Sequence, residues 1–278
     1  MRAPLLAFVG TTPNIGTTAA AFAAACRLAE RTGKDVGFLC MNLKSAKIHR
    51  YLGQDLPAAT LDSLRPELTS ASLAPQQLRR ACLTIPDEPH VHVLAGNLMR
   101  DQAEYYTQEE TEHLLETARQ SFDLVVADAG SYWDNAATIC AMRAADSRVL
   151  CTTGALSHFQ EDGNRWIRQV SPLFGIQPEE YELLTIQSPW TNGGYRMKEI
   201  EKETNLSAIG EFRTNEAFYQ SLDRGQYHHW LKQDASGRIA MDMVSGKLAE
   251  RNGVRCRPAK EAQPWYRKLR AHRGELGL

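Results

Sequence analysis

A run of small and polar residues near the start of the chain has the composition of a phosphate-binding loop. The segment FVGTTPNIGTT (residues 8–18) joins an apolar run to an alanine-rich stretch, which predicts a strand, a tight loop and a helix. In that arrangement, backbone N–H groups of the loop and of the helix start point at anionic oxygens. Gly16 allows close backbone approach at this point. The chemistry indicated is recognition of phosphate groups.

Two further side chains could complete a site for a magnesium-bound nucleotide. Thr18 follows the loop with a hydroxyl that can serve Mg²⁺, and Asp128 ends the apolar segment DLVVAD. A working loop of this type ends in Gly-Lys-Ser/Thr, but here Thr17 takes the place of the lysine. That exchange removes a fixed positive charge, and electrostatic stabilisation is usually the largest single term in catalysis.

Strand and helix patterns alternate along the chain. The strands are predicted at residues 5–9, 35–43, 90–96, 123–130, 147–154, 181–187 and 208–212. The longer helices are predicted to follow the loop and at residues 73–83, 107–122, 136–145, 160–173 and 197–205, with C-terminal helices in 215–225 and 237–253. Thr107 and Glu110 have the spacing of a capping box. This alternation predicts an α/β domain whose mostly parallel central sheet is covered by helices on both faces, a three-layer sandwich.

Composition excludes several other classes of protein. The chain has 278 residues, 43% of them hydrophobic, and a net charge of −1, so charge gives no reason to expect nucleic-acid or membrane binding. No apolar run approaches the roughly 20 residues that span a bilayer. The six cysteines are scattered without a CxxC pair, which is typical of buried thiols in a reducing compartment and predicts a cytoplasmic protein. We predict one domain over residues 1–253 and a basic C-terminal tail over 254–278.

Together these segments resemble the MinD/ParA family of deviant P-loop ATPases, and more narrowly its CpaE/TadZ branch, over roughly residues 4–253. The resemblance implies a Rossmann-like P-loop NTPase fold and a role at assembly sites of Flp-type pili and related secretion systems. The loop matches the family pattern without a gap. Thr12 falls where the family has the lysine that reaches across a dimer, and Thr17 falls where it has its main lysine. The TadZ-like branch often lacks that main lysine.

The resemblance also implies which residues hold ATP or ADP with Mg²⁺. The expected nucleotide-binding residues are Thr12, Pro13, Asn14, Ile15, Gly16, Thr17, Thr18 and Gln187. Gln187 is included because the family often has an adenine-reading asparagine at that position. Thr18 and Asp128 are expected to hold the metal through the nucleotide and water.

One departure from the family pattern concerns hydrolysis. At the end of the second strand the family carries Asp-x-Asp, whereas this chain has Cys40, Met41 and Asn42. The first of those aspartates positions the attacking water, and a thiol or a neutral amide cannot do that. The leading hypothesis is therefore a nucleotide-binding protein with a degenerate loop and little or no ATP hydrolysis, which acts as a positioning or scaffolding factor.

Other interpretations remain open from the sequence alone. Lys44 or Lys47, in the loop after the second strand, could enter the nucleotide site in place of the missing lysine. The protein would then be an active ATPase for division-site placement or DNA partitioning. Alternatively, the loop could bind nothing, in a nucleotide-free interaction module. The partners implied are proteins of a pilus, secretion or division system, with a homodimer also compatible. The tail, with Trp265, Tyr266 and Leu269 among basic residues, has only a thin apolar stripe for membrane contact.

Overall fold

The computed structural model describes residues 2–85, 88–189 and 194–257. Within them, one eight-stranded sheet has the order β3-β4-β2-β5-β1-β6-β7-β8. The strands are β1 (Leu5–Gly10), β2 (Val36–Cys40), β3 (Leu83–Ile85), β4 (Glu88–Leu94), β5 (Leu124–Asp128), β6 (Ser147–Thr152), β7 (Tyr181–Gln187) and β8 (Ser207–Arg213). Every neighbouring pair is parallel except β3 and β4, which confirms the predicted mostly parallel sheet.

Helices connect the strands and cover both faces of the sheet. The α-helices are α1 (Thr17–Thr32), α2 (Ile48–Tyr51), α3 (Arg65–Thr69), α4 (Pro75–Ala81), α5 (Gln108–Ser121), α6 (Ala136–Ala144), α7 (Met197–Thr204), α8 (Glu216–Asp223), α9 (Tyr227–Gln233) and α10 (Ala235–Arg251). Between β6 and β7 the chain forms π-helical turns over Ser157–Gly163 and Arg165–Val170. No helix in the described residues is long and apolar enough to cross a bilayer.

The central strand β1 explains why the fold has three layers. All of its residues are buried, and they alternate between two separate apolar cores. Leu5, Ala7 and Val9 pack with α5 and α6 on one face, whereas Leu6 and Phe8 pack with α1 and α10 on the other. A strand buried on both sides needs helices on both sides, so the predicted α/β three-layer sandwich is confirmed.

Helix α1 lies in the centre of one of these layers because its side chains are small. Seven alanines of this helix are fully or almost fully buried, and they are Ala19, Ala20, Ala21, Ala23, Ala24, Ala25 and Ala29. The hydroxyl of Ser245 on α10 donates to the carbonyl oxygen of Ala24, so the two helix backbones approach closely. Gly33 ends α1 in the left-handed conformation that favours glycine.

Several local predictions can be compared directly with the structure. The capping box is present, since Thr107 accepts from the backbone of Glu110 and Glu110 accepts from that of Thr107. The helix predicted over 73–83 ends earlier, at Ala81, because residues 83–85 pair antiparallel with β4 and close the sheet edge. Helix α9 was not predicted. The predicted basic tail is described only as far as Arg257, and the rest of it lies outside the described residues.

Candidate functional site

The predicted loop lies between the end of β1 and the start of α1. Gly10 sits where a side chain could not, because an added Cβ would be 2.2 Å from the Ser131 hydroxyl and 2.5 Å from that of Thr17. Gly16 has a φ of 101° immediately before α1. This conformation favours glycine, and it turns the chain so that the first backbone N–H groups of the helix face outward. The loop is therefore tightly packed at Gly10, where it leaves the sheet, and borders open space at the start of α1.

A pocket of about 260 Å³ opens at the start of α1. From the loop and the helix start it is lined by Pro13, Asn14, Ile15, Gly16, Thr17, Thr18 and Ala19. The flanking segments contribute Asn42, Ser45, Lys47, Tyr51, Gly130, Ser131, Tyr132, Thr214, Phe218, Tyr219, Leu222 and Asp223. Partial positive charge at a helix N-terminus makes such a pocket a favourable place for an anion.

Two of the predicted nucleotide-binding residues lie outside this lining. The hydroxyl of Thr12 donates to the carboxylate of Asp162 at 2.7 Å, on the π-helical segment. The side chain of Gln187 is exposed, and its carbonyl oxygen accepts from both the N–H and the hydroxyl of Thr214 at 2.9 Å. Thr214, at the start of the segment after β8, is the member of this pair that lines the pocket. A nucleotide role for Thr12 and Gln187 stays a prediction.

The two predicted metal residues are brought into direct contact. The Thr18 hydroxyl donates to Asp128 Oδ2 at 2.6 Å, and the Gly130 N–H donates to Asp128 Oδ1 at 3.3 Å. Asp128 is fully buried, and burial raises its pKa to about 6 although both hydrogen bonds oppose that rise. A raised pKa marks a carboxylate whose charge is poorly compensated.

These residues fit a hydrated Mg²⁺. Carboxylate and hydroxyl oxygens are its preferred protein donors, and Mg²⁺ is usually held by one or two of them together with substrate phosphates. Within the described residues, no lysine, arginine or histidine contributes to the pKa of Asp128, so the charge of a cation would be unopposed there. When bound, the ion would neutralise phosphate charge beside Thr18.

The structure revises the interpretation of the segment after β2. Cys40 is buried with its sulfur 4.0 Å from Asp128 Oδ2, and burial raises the pKa of this thiol well above its usual range. It therefore does not face the pocket. Asn42 does, and its side-chain oxygen accepts from the N–H of Ser45. Of the three residues Cys40, Met41 and Asn42, Asn42 is thus the one that lines the pocket, and its amide is neutral.

The two candidate lysines have different surroundings. Lys44 forms ion pairs with Asp134 and, at 3.7 Å, with Glu104, and its ammonium lies 5.6 Å from the ring centroid of Tyr132. Lys47 is exposed and lines the pocket. Lys47 is the basic residue in this lining, as far as the described part of the chain shows. Lys44 is already neutralised by carboxylates.

Aromatic residues fix the loop from the side of the β6–β7 connection. The indole N–H of Trp166 donates to the carbonyl oxygen of Thr11 at 3.0 Å, and the ring stacks on Trp133 with centroids 5.3 Å apart. Sequence reasoning placed Trp166 on a helix but gave it no role. It also gave no site role to Tyr219 and Phe218, which line the far wall of the pocket. No spacing rule links these residues to the loop, because only the sheet order brings them together.

Comparison with solved structures gives the fold a family context. No protein-family model and no curated protein matches the sequence of this chain. A ParA family ATPase from Chlorobium tepidum is 16% identical, with a TM-score of 0.75 over 87% of this chain and 98% of that one. The chain has the ParA/MinD fold.

Two other solved structures are similar to this chain in fold. A chain of the MinC:MinD cell division protein complex of Aquifex aeolicus has a TM-score of 0.71 at 13% identity, covering 93% of this chain and 99% of its own. MinD from Pyrococcus horikoshii, solved as a complex with Mg-ADP, has a TM-score of 0.72 at 13% identity, covering 91% of this chain and 98% of its own. At these identities the comparison establishes the fold alone.

Proposed function

We propose that this chain is a nucleotide-binding protein of ParA/MinD fold that hydrolyses ATP little or not at all. The observation that carries the proposal is the pocket at the start of α1. It retains Gly16 and the contact between Thr18 and Asp128, while neutral side chains stand at Thr17 and Asn42. The site thus keeps the groups that bind phosphate and metal, and it lacks the groups that promote reaction.

Binding is supported by the backbone and by the shape of the pocket. Anions bind at helix N-termini through exposed N–H groups and the helix dipole, without a lysine. Tyr219 on the opposite wall is only partly buried and offers an aromatic ring for a base, while Phe218, which is 1% exposed, packs edge-on against that ring with centroids 5.0 Å apart. A solved protein of the same fold, MinD from Pyrococcus horikoshii, is a complex with Mg-ADP. ATP or ADP with Mg²⁺ is the ligand that this combination of groups favours.

Slow turnover is supported by the missing charges. Removing one preorganised electrostatic group from an active site typically costs about 10²–10³ in rate. Here Thr12 is bonded to Asp162, Thr17 is neutral, and the amide of Asn42 cannot accept a proton from water. Losses at separate points of a reaction combine, so we propose that the bound nucleotide persists instead of being consumed.

The cellular role is proposed from the same features together with the CpaE/TadZ-like loop. A protein that holds nucleotide without consuming it suits a positioning or scaffolding role in the cytoplasm, at a pilus or secretion apparatus. A division or partition system is the alternative setting, since one solved chain of this fold belongs to a MinC:MinD cell division protein complex. We propose protein partners, a homodimer as an additional state, and a domain over 1–253 followed by the basic tail.

Phosphate release tests the proposed lack of turnover. We expect the full-length chain with saturating Mg-ATP to release phosphate no faster than the Asp128→Ala variant, because neither protein can activate water. The measurement is a coupled phosphate assay over several hours at 25 °C. Turnover that disappears in the Asp128→Ala variant would instead indicate an active ATPase with Lys47 in place of the loop lysine.

Lys47 is expected to supply part of the charge that Thr17 does not. We expect Lys47→Ala to weaken ATP binding about tenfold, since an exposed cation lining the pocket attracts the phosphates. Lys44→Ala is the matched control, because Lys44 is paired with carboxylates and lies outside the pocket lining. It should change affinity less than twofold. Equal losses in the two variants, measured by fluorescence titration, would contradict this assignment.

A further inference from the structure

A second, larger depression lies beside the nucleotide pocket. It has a volume of about 940 Å³, within the range of ligand-binding clefts, and we call it the α2–α8 groove. Its walls come from the segment 44–56, which includes α2, from residues 97–100 after β4, and from residues 222–225 at the end of α8. At its floor two turns touch through glycine backbones, since a Cβ on Gly225 would lie 2.4 Å from the Cα of Gly53. Five residues line both this groove and the nucleotide pocket, namely Ser45, Lys47, Tyr51, Leu222 and Asp223.

The groove is basic although the chain as a whole is not. Its lining has five positive side chains, which are Lys44, Lys47, Arg50, Arg100 and Arg224, and two negative ones, which are Asp55 and Asp223. The whole protein has a net charge of −1, so this concentration of positive charge is local. Lys44 is paired with carboxylates, but Arg50, Arg100 and Arg224 are exposed and form no ion pair within the described residues. Such a surface attracts a negatively charged partner.

Apolar side chains accompany this charge. Leu56 is 89% exposed and Leu98 is 45% exposed, and both line the groove together with Leu222. Exposed leucines in a concave surface rimmed by charge are typical of a protein-binding site.

A buried polar atom also lacks a partner at this place. His49 lines the groove, is only 3% exposed, and has no hydrogen-bond partner for Nδ1 among the described residues. An unsatisfied buried ring nitrogen costs free energy unless a bound group satisfies it. The backbone of an extended peptide carries both donors and acceptors that could do so.

We propose that the α2–α8 groove docks an acidic peptide segment of a partner protein, which places leucine-like side chains against Leu56 and Leu98 and its carboxylates near Arg50 and Arg224. Nucleic acid fits less well. The exposed apolar residues of the groove, Leu56 and Leu98, are leucines and not the aromatic rings on which bases stack, and they suit contact with apolar side chains of a peptide. The inference goes beyond nucleotide binding, because Arg50 and Arg224 lie outside the nucleotide pocket.

A random library of 12-residue peptides displayed on phage and selected on the full-length chain tests this proposal. We expect the selected peptides to be enriched in Asp and Glu and to contain Leu, Ile or Phe. In fluorescence polarisation, the double variant Arg50→Glu/Arg224→Glu should bind the selected peptides at least 20-fold more weakly, and Leu56→Ser should bind them at least fivefold more weakly. Circular dichroism checks that both variants are folded.

The matched control makes the same change of charge elsewhere. Arg80 and Arg143 are exposed and lie outside both pockets, so Arg80→Glu/Arg143→Glu should bind the peptides within twofold of the unmodified protein. Failure to select acidic peptides, or equal losses in the two double variants, would overturn the proposal. So would binding of a 30-base-pair DNA duplex that only Arg50→Glu/Arg224→Glu abolishes. Nucleotide titration of the same variants is separate, because neither arginine pair lines the nucleotide pocket.

Discussion

Replacing Thr17 by lysine is expected to tighten ATP binding about 10- to 100-fold without starting hydrolysis. Thr17 is 6% exposed, lies in the first turn of α1 and lines the pocket, so a lysine there would place its ammonium beside bound phosphates. Because that charge interacts with the nucleotide before any reaction, it should lower the dissociation constant. It does not orient a water, since Asn42 still presents a neutral amide.

The comparison variant for this prediction is Thr17→Gln, which adds length without charge. It should leave affinity within about threefold of the unmodified protein, and the two variants together separate charge from volume. Affinity is measured by competition with a fluorescent ATP analogue, and turnover by phosphate release. If Thr17→Lys alone hydrolysed ATP as fast as an active enzyme, our account of Asn42 would be wrong.

Replacing Asp128 by asparagine is expected to stabilise the fold at neutral pH and to abolish the effect of Mg²⁺ on nucleotide binding. The carboxyl of Asp128 is fully buried, with a pKa raised to about 6 from the ordinary 3.8. A carboxyl that binds its proton more tightly in the folded state makes the protein less stable as pH rises through the interval between these values. The loss of folding stability begins near pH 4 and is complete above about pH 6. The amide removes it, for a gain of about 1–2 kcal/mol at pH 7.5.

Thermal unfolding at several pH values measures this effect. The melting temperature of Asp128→Asn should exceed that of the unmodified protein by about 2–6 °C at pH 7.5, and the difference should vanish near pH 4. Asp162→Asn is a suitable comparison, since Asp162 accepts the Thr12 hydroxyl on the far side of the loop. It should give no comparable gain at pH 7.5, because Asp162 is only partly buried. An Asp128→Asn variant that is equally destabilised at every pH would contradict our description of this carboxylate.

Most of the fold could be predicted because its signals are local and repeated. β1 and β5 read as continuous apolar runs since they are buried on both sides, and the capping box of Thr107 and Glu110 depends on residues three apart. β3 could not be predicted in this way. Its three residues form a strand only because β4 is available to pair with them, and that pairing is a tertiary interaction.

The parts of the candidate site that come directly after predicted strands could be predicted from the sequence. The residues that the sheet order brings in from distant parts of the chain could not. The loop, Thr18 and Asp128 occupy fixed places after predicted strands, and the structure brings the two side chains together. The sequence placed Cys40 where the family has its first aspartate but did not show that this residue is buried. Its register opposite Asp128 in the β2–β5 pair places it in the interior, whereas Asn42, beyond the end of β2, lines the pocket. Thr214 joins the pocket from a distant strand end.

Isothermal titration calorimetry tests the central claim, that this pocket holds a nucleotide. The full-length chain is titrated with ADP and with ATP, in the presence and absence of Mg²⁺. We predict one site with a dissociation constant of about 10–500 µM for Mg-ATP, weakened at least fivefold when Mg²⁺ is omitted. No detectable heat at millimolar nucleotide, confirmed by an unchanged melting temperature, would contradict the account and favour an interaction module that uses only the fold.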